Sequence, residues 1–396
     1  MGEFNEFAEA LFGQLSVEID EEKEIAELGD RAREGLGDRV EFRKLEEVAG
    51  GIMAEYKNMA QEFLGVNVPD SRLEFPELVD LKRIKGQKVF AAGGAGEFVA
   101  ELFDAVSCGD QKKVAEMMEK DTAKYLVYST YAIQYISKIT TTYGDYMDGV
   151  VYLNKFVLSR YPQIILYKQG EPFESRFKEV NSGYMGAVKM TVLEELVHSA
   201  QGNLHSVNRR AASEVNRINE ELAGIIMSLD NSTVNSLSEY CQLQAVPDDF
   251  PFAKKANLFF FLNPDHFLTE QIGPDVMTFT HVEIDPKIGQ AVPELLEIYK
   301  KWLVPIQQHH AAFTAMEGMA GFAIEEMLGN DPDFQSYLAT FMGTDMSSYQ
   351  VRKGMGTGFV RTVHQDLGRD TFSKIIDIPP NTRELKDAQL YLKKLR

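Results

Sequence analysis

The stretch MTVLEELVHSAQ, residues 190–201, decides how this chain is read. Glu194 and His198 stand four apart, so on a helix they lie one turn from each other on a shared face. Two side chains so placed can grip one metal ion. Glu195 is rotated by one residue, about 100° around the helix from Glu194. Val192, Leu193, Leu196 and Val197 surround them, as in a buried helix. The same spacing also suits a plain polar pair, and a histidine in an apolar helix often bonds only a backbone carbonyl or a carboxylate. A further ligand elsewhere in the chain would separate the two readings.

Composition narrows the function classes. The chain has 396 residues, 44% of them hydrophobic, enough to bury a sizeable core in one large domain or two ordinary ones. Its formal net charge is −19, which argues against nucleic acid and anionic membranes as partners. The longest apolar runs, such as Ala256–Leu262, fall far short of the roughly 18 residues that span a bilayer. The first residues, MGEFNEFAEALFGQL, are acidic and lack the basic start of a signal peptide, so the expected location is cytoplasmic. Two distant cysteines, Cys108 and Cys241, provide neither a disulfide framework nor a zinc ribbon and are expected to be small buried hydrophobes.

The chain divides softly near residue 120. Residues 1–65 are charge-rich and read as helices, one stopping near Gly35–Gly37 and a second running from about Glu41 to Leu64 before the turn GVNVPDS. The run KVFAAGGAGEFVAEL, 88–102, offers Gly93, Gly94 and Gly96, but Val99 stands where a dinucleotide fingerprint needs its third glycine. KGMGTGFV, 353–360, lacks the G-K-S/T end of a phosphate loop. Residues 110–142 read as helix. GVVYLNKFVL (149–158), QIILYKQ (163–169), NLFFFLNP (257–264) and VMTFTHVEID (276–285) are β-branched and aromatic and predict strands. The remainder, from VPELLEIYKK onward, is helical. The predicted class is α+β, predominantly helical.

The further ligand is offered by TAMEGMAGFAIEEML, 314–328, where Glu317 precedes Gly318, Ala320, Gly321 and Ala323. So many small residues let a helix approach a neighbour closely and bring a glutamate to it. Together these segments resemble the zincin-type metallopeptidases of the gluzincin branch. EELVHSAQ resembles their H-E-L-x-H-x-x-Q helix, and MEGMAGFAIE the helix that carries their glutamate ligand. The ending is also similar, with Tyr349, Gly354 or Gly358, Phe359, Val360, Gly368, Pro379, Pro380, Thr382, Glu384, Tyr391 and Leu392 in order. The likeness covers about residues 145–396 and implies a zincin-like metallohydrolase domain over 121–396. The N-terminal helical region, 1–120, has no such match. It further implies Glu194, His198 and Glu317 as metal ligands, Glu195 as general base, one divalent ion (zinc by family), and a peptide or protein substrate cut by metal-activated water. The strand GVVYLN would then lie at the sheet edge along the substrate cleft.

The departure is Glu194, where the family has histidine. A Glu/His/Glu set is harder and more anionic than His/His/Glu and suits iron(II) or manganese better. Two anionic ligands also weaken the Lewis acidity of the ion, so the resemblance with this change implies weak peptidase activity, or a catalytically inactive zincin-fold protein that binds partners. His205, seven after His198, and His309 and His310, before Glu317, are further nitrogen donors, and Glu221 is an alternative third ligand. His281 reads as structural.

Overall fold

The computed structural model describes residues 22–91, 94–129, 142–247, 251–264, 280–341 and 347–396. They are predominantly helical, with one three-stranded sheet. Among the described residues no helix is long and apolar enough to cross a membrane. The chain forms two compact units. One draws its described residues from 83–136 and 207–311, the other from 18–82, 137–206 and 312–396. The second unit holds residues 190–201.

In that unit the helix Leu45–Leu64 ends where Gly65 takes a left-handed conformation, φ 64°, and its N–H caps the Gln61 carbonyl. The sheet has three short strands: β1 (Arg72–Glu74), β2 (Gly144–Met147) and β3 (Val150–Leu153). Their order is β1-β3-β2, with β1 parallel and β2 antiparallel to β3. The β2–β3 turn places Asp148 at φ 50° and Gly149 at φ 81°, both left-handed, as a tight hairpin matched to strand twist requires. All four residues of β3 are buried. GVVYLN is therefore the centre of the sheet, and among the described residues β2 is the edge beside it, which corrects the expectation that GVVYLN forms the edge.

Other strand expectations fail in an instructive way. Asn154 accepts a hydrogen bond from the Val157 N–H and caps the helix Lys155–Gln169, which swallows both KFVL and QIILYKQ. NLFFFL lies in the helix Pro251–Leu262, where Phe252, Ala256, Phe259 and Leu262 are buried at helical spacing. β-Propensity is a weak preference that a cap and a buried helical face override. Of VMTFTHVEID, only 280–285 is described, and it carries no strand. The glycine runs also resolve. A helix, Leu78–Val89, precedes Gly94 where a dinucleotide site needs a strand, and KGMGTGFV lies inside the helix Ser347–Leu367. Neither cysteine is buried, and both are free thiols. Cys108 ends the helix Gly96–Ser107 just before Gly109, which is at φ 70°, so the turn holds it at the surface.

The Glu194–His198 stretch occupies the C-terminal half of the 27-residue helix Phe173–Ser199. The helix Pro332–Thr340 locks it in place. A Cβ on Gly186 would lie 2.1 Å from the Asp333 carbonyl oxygen, so the two backbones touch. Lys189 reaches Asp331 at 2.7 Å and Asp333 at 2.8 Å, and Ser182 donates to Asp333 at 2.5 Å. Burial pushes the Lys189 ammonium down, and the two aspartates more than reverse this.

Candidate metal centre

The helix Phe173–Ser199 stops at Ala200 and Gln201, and a new helix begins at Gly202. This break sets the chemistry of His198. Gln201 donates its side-chain N–H to the Met316 carbonyl at 2.9 Å, so its Oε1 faces His198 Nδ1 at 2.9 Å as an acceptor. Nδ1 therefore carries the ring proton, and in the neutral ring Nε2 keeps its lone pair. Nε2 faces Glu317 Oε1 at 3.8 Å, too long for a hydrogen bond. A lone pair and a carboxylate oxygen set face to face at this separation fit a cation between them.

Glu317 comes from the helix Leu295–Leu328, whose residues from Ala312 onward belong to this unit. One ligand atom each from Glu194, His198 and Glu317 lie within 4.8 Å of one another, the one such convergence of His, Cys, Asp and Glu among the described residues. His198 is 9% exposed and Glu317 7%, so an ion there would be largely shielded from solvent. The donor set, one nitrogen and two carboxylates, fits a divalent ion.

Glu195 is buried at 5% exposure and points toward β2. A Cβ on Gly144 would lie 3.3 Å from Glu195 Oε1 and 2.5 Å from Thr191 Cγ2. The edge strand thus runs directly over the carboxylate, and only glycine leaves that space open. Gly144→Ala is expected to destabilise the protein by about 1–3 kcal/mol through overpacking against Thr191 and the Tyr152 carbonyl. Urea unfolding checks it, and a variant as stable as the parent would show that the strand does not press on the helix.

The small-residue helix behaves differently from its expectation. Glu317 does reach the Glu194–His198 helix, but Gly318 and Gly321 face a third one, Ser347–Leu367. A Cβ on Gly318 would lie 2.2 Å from the Gly356 carbonyl carbon, and one on Gly321 would lie 2.5 Å from Thr357 Oγ1. This close crossing delivers a residue that sequence reading missed. Lys353 forms a partly buried ion pair with Glu194. Burial raises the Glu194 carboxyl, but the Lys353 ammonium outweighs it and holds the group below its ordinary range. Burial likewise lowers the Lys353 ammonium, and Glu194, Glu317 and Glu195 together hold it above its ordinary value. Burial, then Tyr143 and Glu194, push the Tyr337 hydroxyl up, so it stays protonated beside the cluster.

The remaining donors fall elsewhere. His205 sets Nε2 2.9 Å from the His198 carbonyl and packs its ring against Tyr146 and edge-on to His198, so that nitrogen meets backbone and not the Glu194–Glu317 cluster. Glu221 pairs with Lys301 at 2.8 Å and Arg217 at 3.6 Å. His309 and His310 contact each other, and His310 is buried. His281 is exposed beside Thr280 and Glu283. Lys353 lay hidden in KGMGTG because that run is compared only with a phosphate loop, and nothing local says which helix it will meet. In hindsight the small residues at 318, 321 and 356 match a pair of helices in close contact. No family model, curated protein or solved structure matches this chain.

Proposed function

We propose that this protein is a metal-dependent hydrolase with a zincin-like fold, acting on a peptide or related amide in the cytoplasm. The observation that carries it is the convergence of Glu194, His198 and Glu317, with the His198 lone pair aimed into the cluster by Gln201. These three residues would hold one divalent ion; zinc accepts the set, and iron(II) or manganese suits its two carboxylates better. Such an ion supplies Lewis acidity and eases deprotonation of a neighbouring water. Glu195, buried between helix and strand, accepts that proton on its carboxylate and passes it to the leaving nitrogen. An extended peptide laid along β2 would bring its amide alongside Glu195.

The test is metal content of the native protein by inductively coupled plasma mass spectrometry, beside His198→Ala. Near one divalent ion per chain is expected, lost in the variant; no metal in either rejects the reading. Glu195→Gln is expected to keep the ion while peptide turnover falls by about 10²–10⁴. Unchanged turnover would remove Glu195 from its role.

A second reading is favoured by the Glu194–Lys353 pair, which gives Glu194 a counter-ion from the protein itself. On it the chain is a catalytically inactive protein of the same scaffold that binds a partner protein. Chelator would then leave the melting temperature unchanged, whereas a sharp fall in EDTA is expected if a native-state ion is bound.

A further inference from the structure

We infer that Lys353 is a permanent part of the metal centre, pairing with Glu194 so that this carboxylate lends the ion an oxygen while its charge is cancelled. This rests on the metal reading above. A carboxylate has two oxygens and about four lone-pair sites, enough to accept from an ammonium and still offer a ligand atom. The ammonium bonds Glu194 Oε1, and the Glu194–His198–Glu317 convergence coexists with that pair.

The protein has built a place for this side chain. Gly318 and Gly356 bring the two helices into backbone contact. A Cβ on Gly321 would lie 3.4 Å from Lys353 Cε and 3.5 Å from its Cγ, so the lysine stem fills the groove that the missing side chain leaves. A lysine that merely waited for an ion and then swung out would leave that groove empty. A fixed Lys353 keeps the charge at position 194 near that of a neutral ligand. The centre then discriminates by charge: it favours divalent ions, and removing the lysine favours cations of higher charge, because Coulomb attraction grows with the charge of the ion.

Two measurements test this. The first is reductive methylation of the wild-type protein with and without Mn²⁺, read by peptide mass spectrometry against Lys112, whose side chain is 88% exposed. Lys353 is expected to stay protected in both states. A several-fold rise in its modification on Mn²⁺ binding would overturn the inference and make Lys353 a displaced competitor. The second compares Mn²⁺ and Tb³⁺ binding in wild type and Lys353→Gln, counting only the site that His198→Ala abolishes, since a chain of net charge −19 also binds Tb³⁺ at its surface. The Tb³⁺/Mn²⁺ affinity ratio is expected to rise tenfold or more in Lys353→Gln; an unchanged or lower ratio overturns the inference. If Lys353→Gln does not fold, methylation of the wild type decides alone. Absence of any His198-dependent Mn²⁺ site in the wild type removes the metal reading itself, a result distinct from either failure of Lys353.

Discussion

Lys353→Met in the metal-free protein is expected to cost about 3 kcal/mol at pH 7, the low end for a buried pair, because it strips the counter-ion from a carboxylate whose side chain is only 14% exposed. The pH dependence carries the sign. In the wild type the Glu194 carboxyl is held below its ordinary value of 4.5. Its contribution to stability is therefore present above pH 4.5 and lost as pH falls through the folded-state value. In the variant the ammonium is gone and burial acts alone, raising the carboxyl. That penalty is absent below pH 4.5 and grows as pH rises above it. The gap between wild type and variant must therefore be widest near neutrality and narrow toward pH 4. The Lys353 ammonium, held above its ordinary 10.5, stays charged at both pH 7 and pH 4, so the change between them belongs to Glu194. Urea unfolding at pH 7 and pH 4, in EDTA, measures both. A gap under about 1 kcal/mol at pH 7, or one that widens in acid, would show that the pair is solvated and structurally idle.

Gly318→Ala is expected to do comparable harm by geometry alone. Its Cβ would lie 2.2 Å from the Gly356 carbonyl carbon, a contact with backbone that no rotamer change relieves. The helices must separate, at a cost of about 3 kcal/mol or more. Separation also withdraws Lys353 from Glu194 and disturbs Glu317 next door. The variant should thus lose both stability and His198-dependent metal binding. Gly354→Ala is the control, since nothing lies within 4 Å of a Cβ there and Gly354 is on the same helix as Gly356. Equal unfolding midpoints for the two variants would show that the crossing is looser than this contact requires.

Helical period carried much of the fold in advance. The helix around Glu194 and His198, the small-residue helix around Glu317 and the stop at Gly65 were all legible, because spacing and glycine placement are local properties of a chain. Strand propensity misled at 155–169 and 251–262. There the aromatic and β-branched residues serve buried helical faces, and the cap at Asn154 was the stronger local signal. Phe252, Ala256, Phe259 and Leu262 had shown the helical period all along.

The sequence by itself determined that Glu194 and His198 share one face, which follows from residue spacing within a helix, while Glu317 was offered only by the small residues beside it and by a family resemblance. Only the tertiary structure decided what surrounds them. Gln201 orients His198 through a carbonyl more than a hundred residues away, at Met316. Gly144 opens the space over Glu195 from a strand far earlier in the chain. Lys353 reaches Glu194 across 159 positions because glycines on two helices let their backbones meet. A side chain's hydrogen-bond partner and counter-ion are set by which helices pack together, and packing is a property of the whole unit that no local pattern contains.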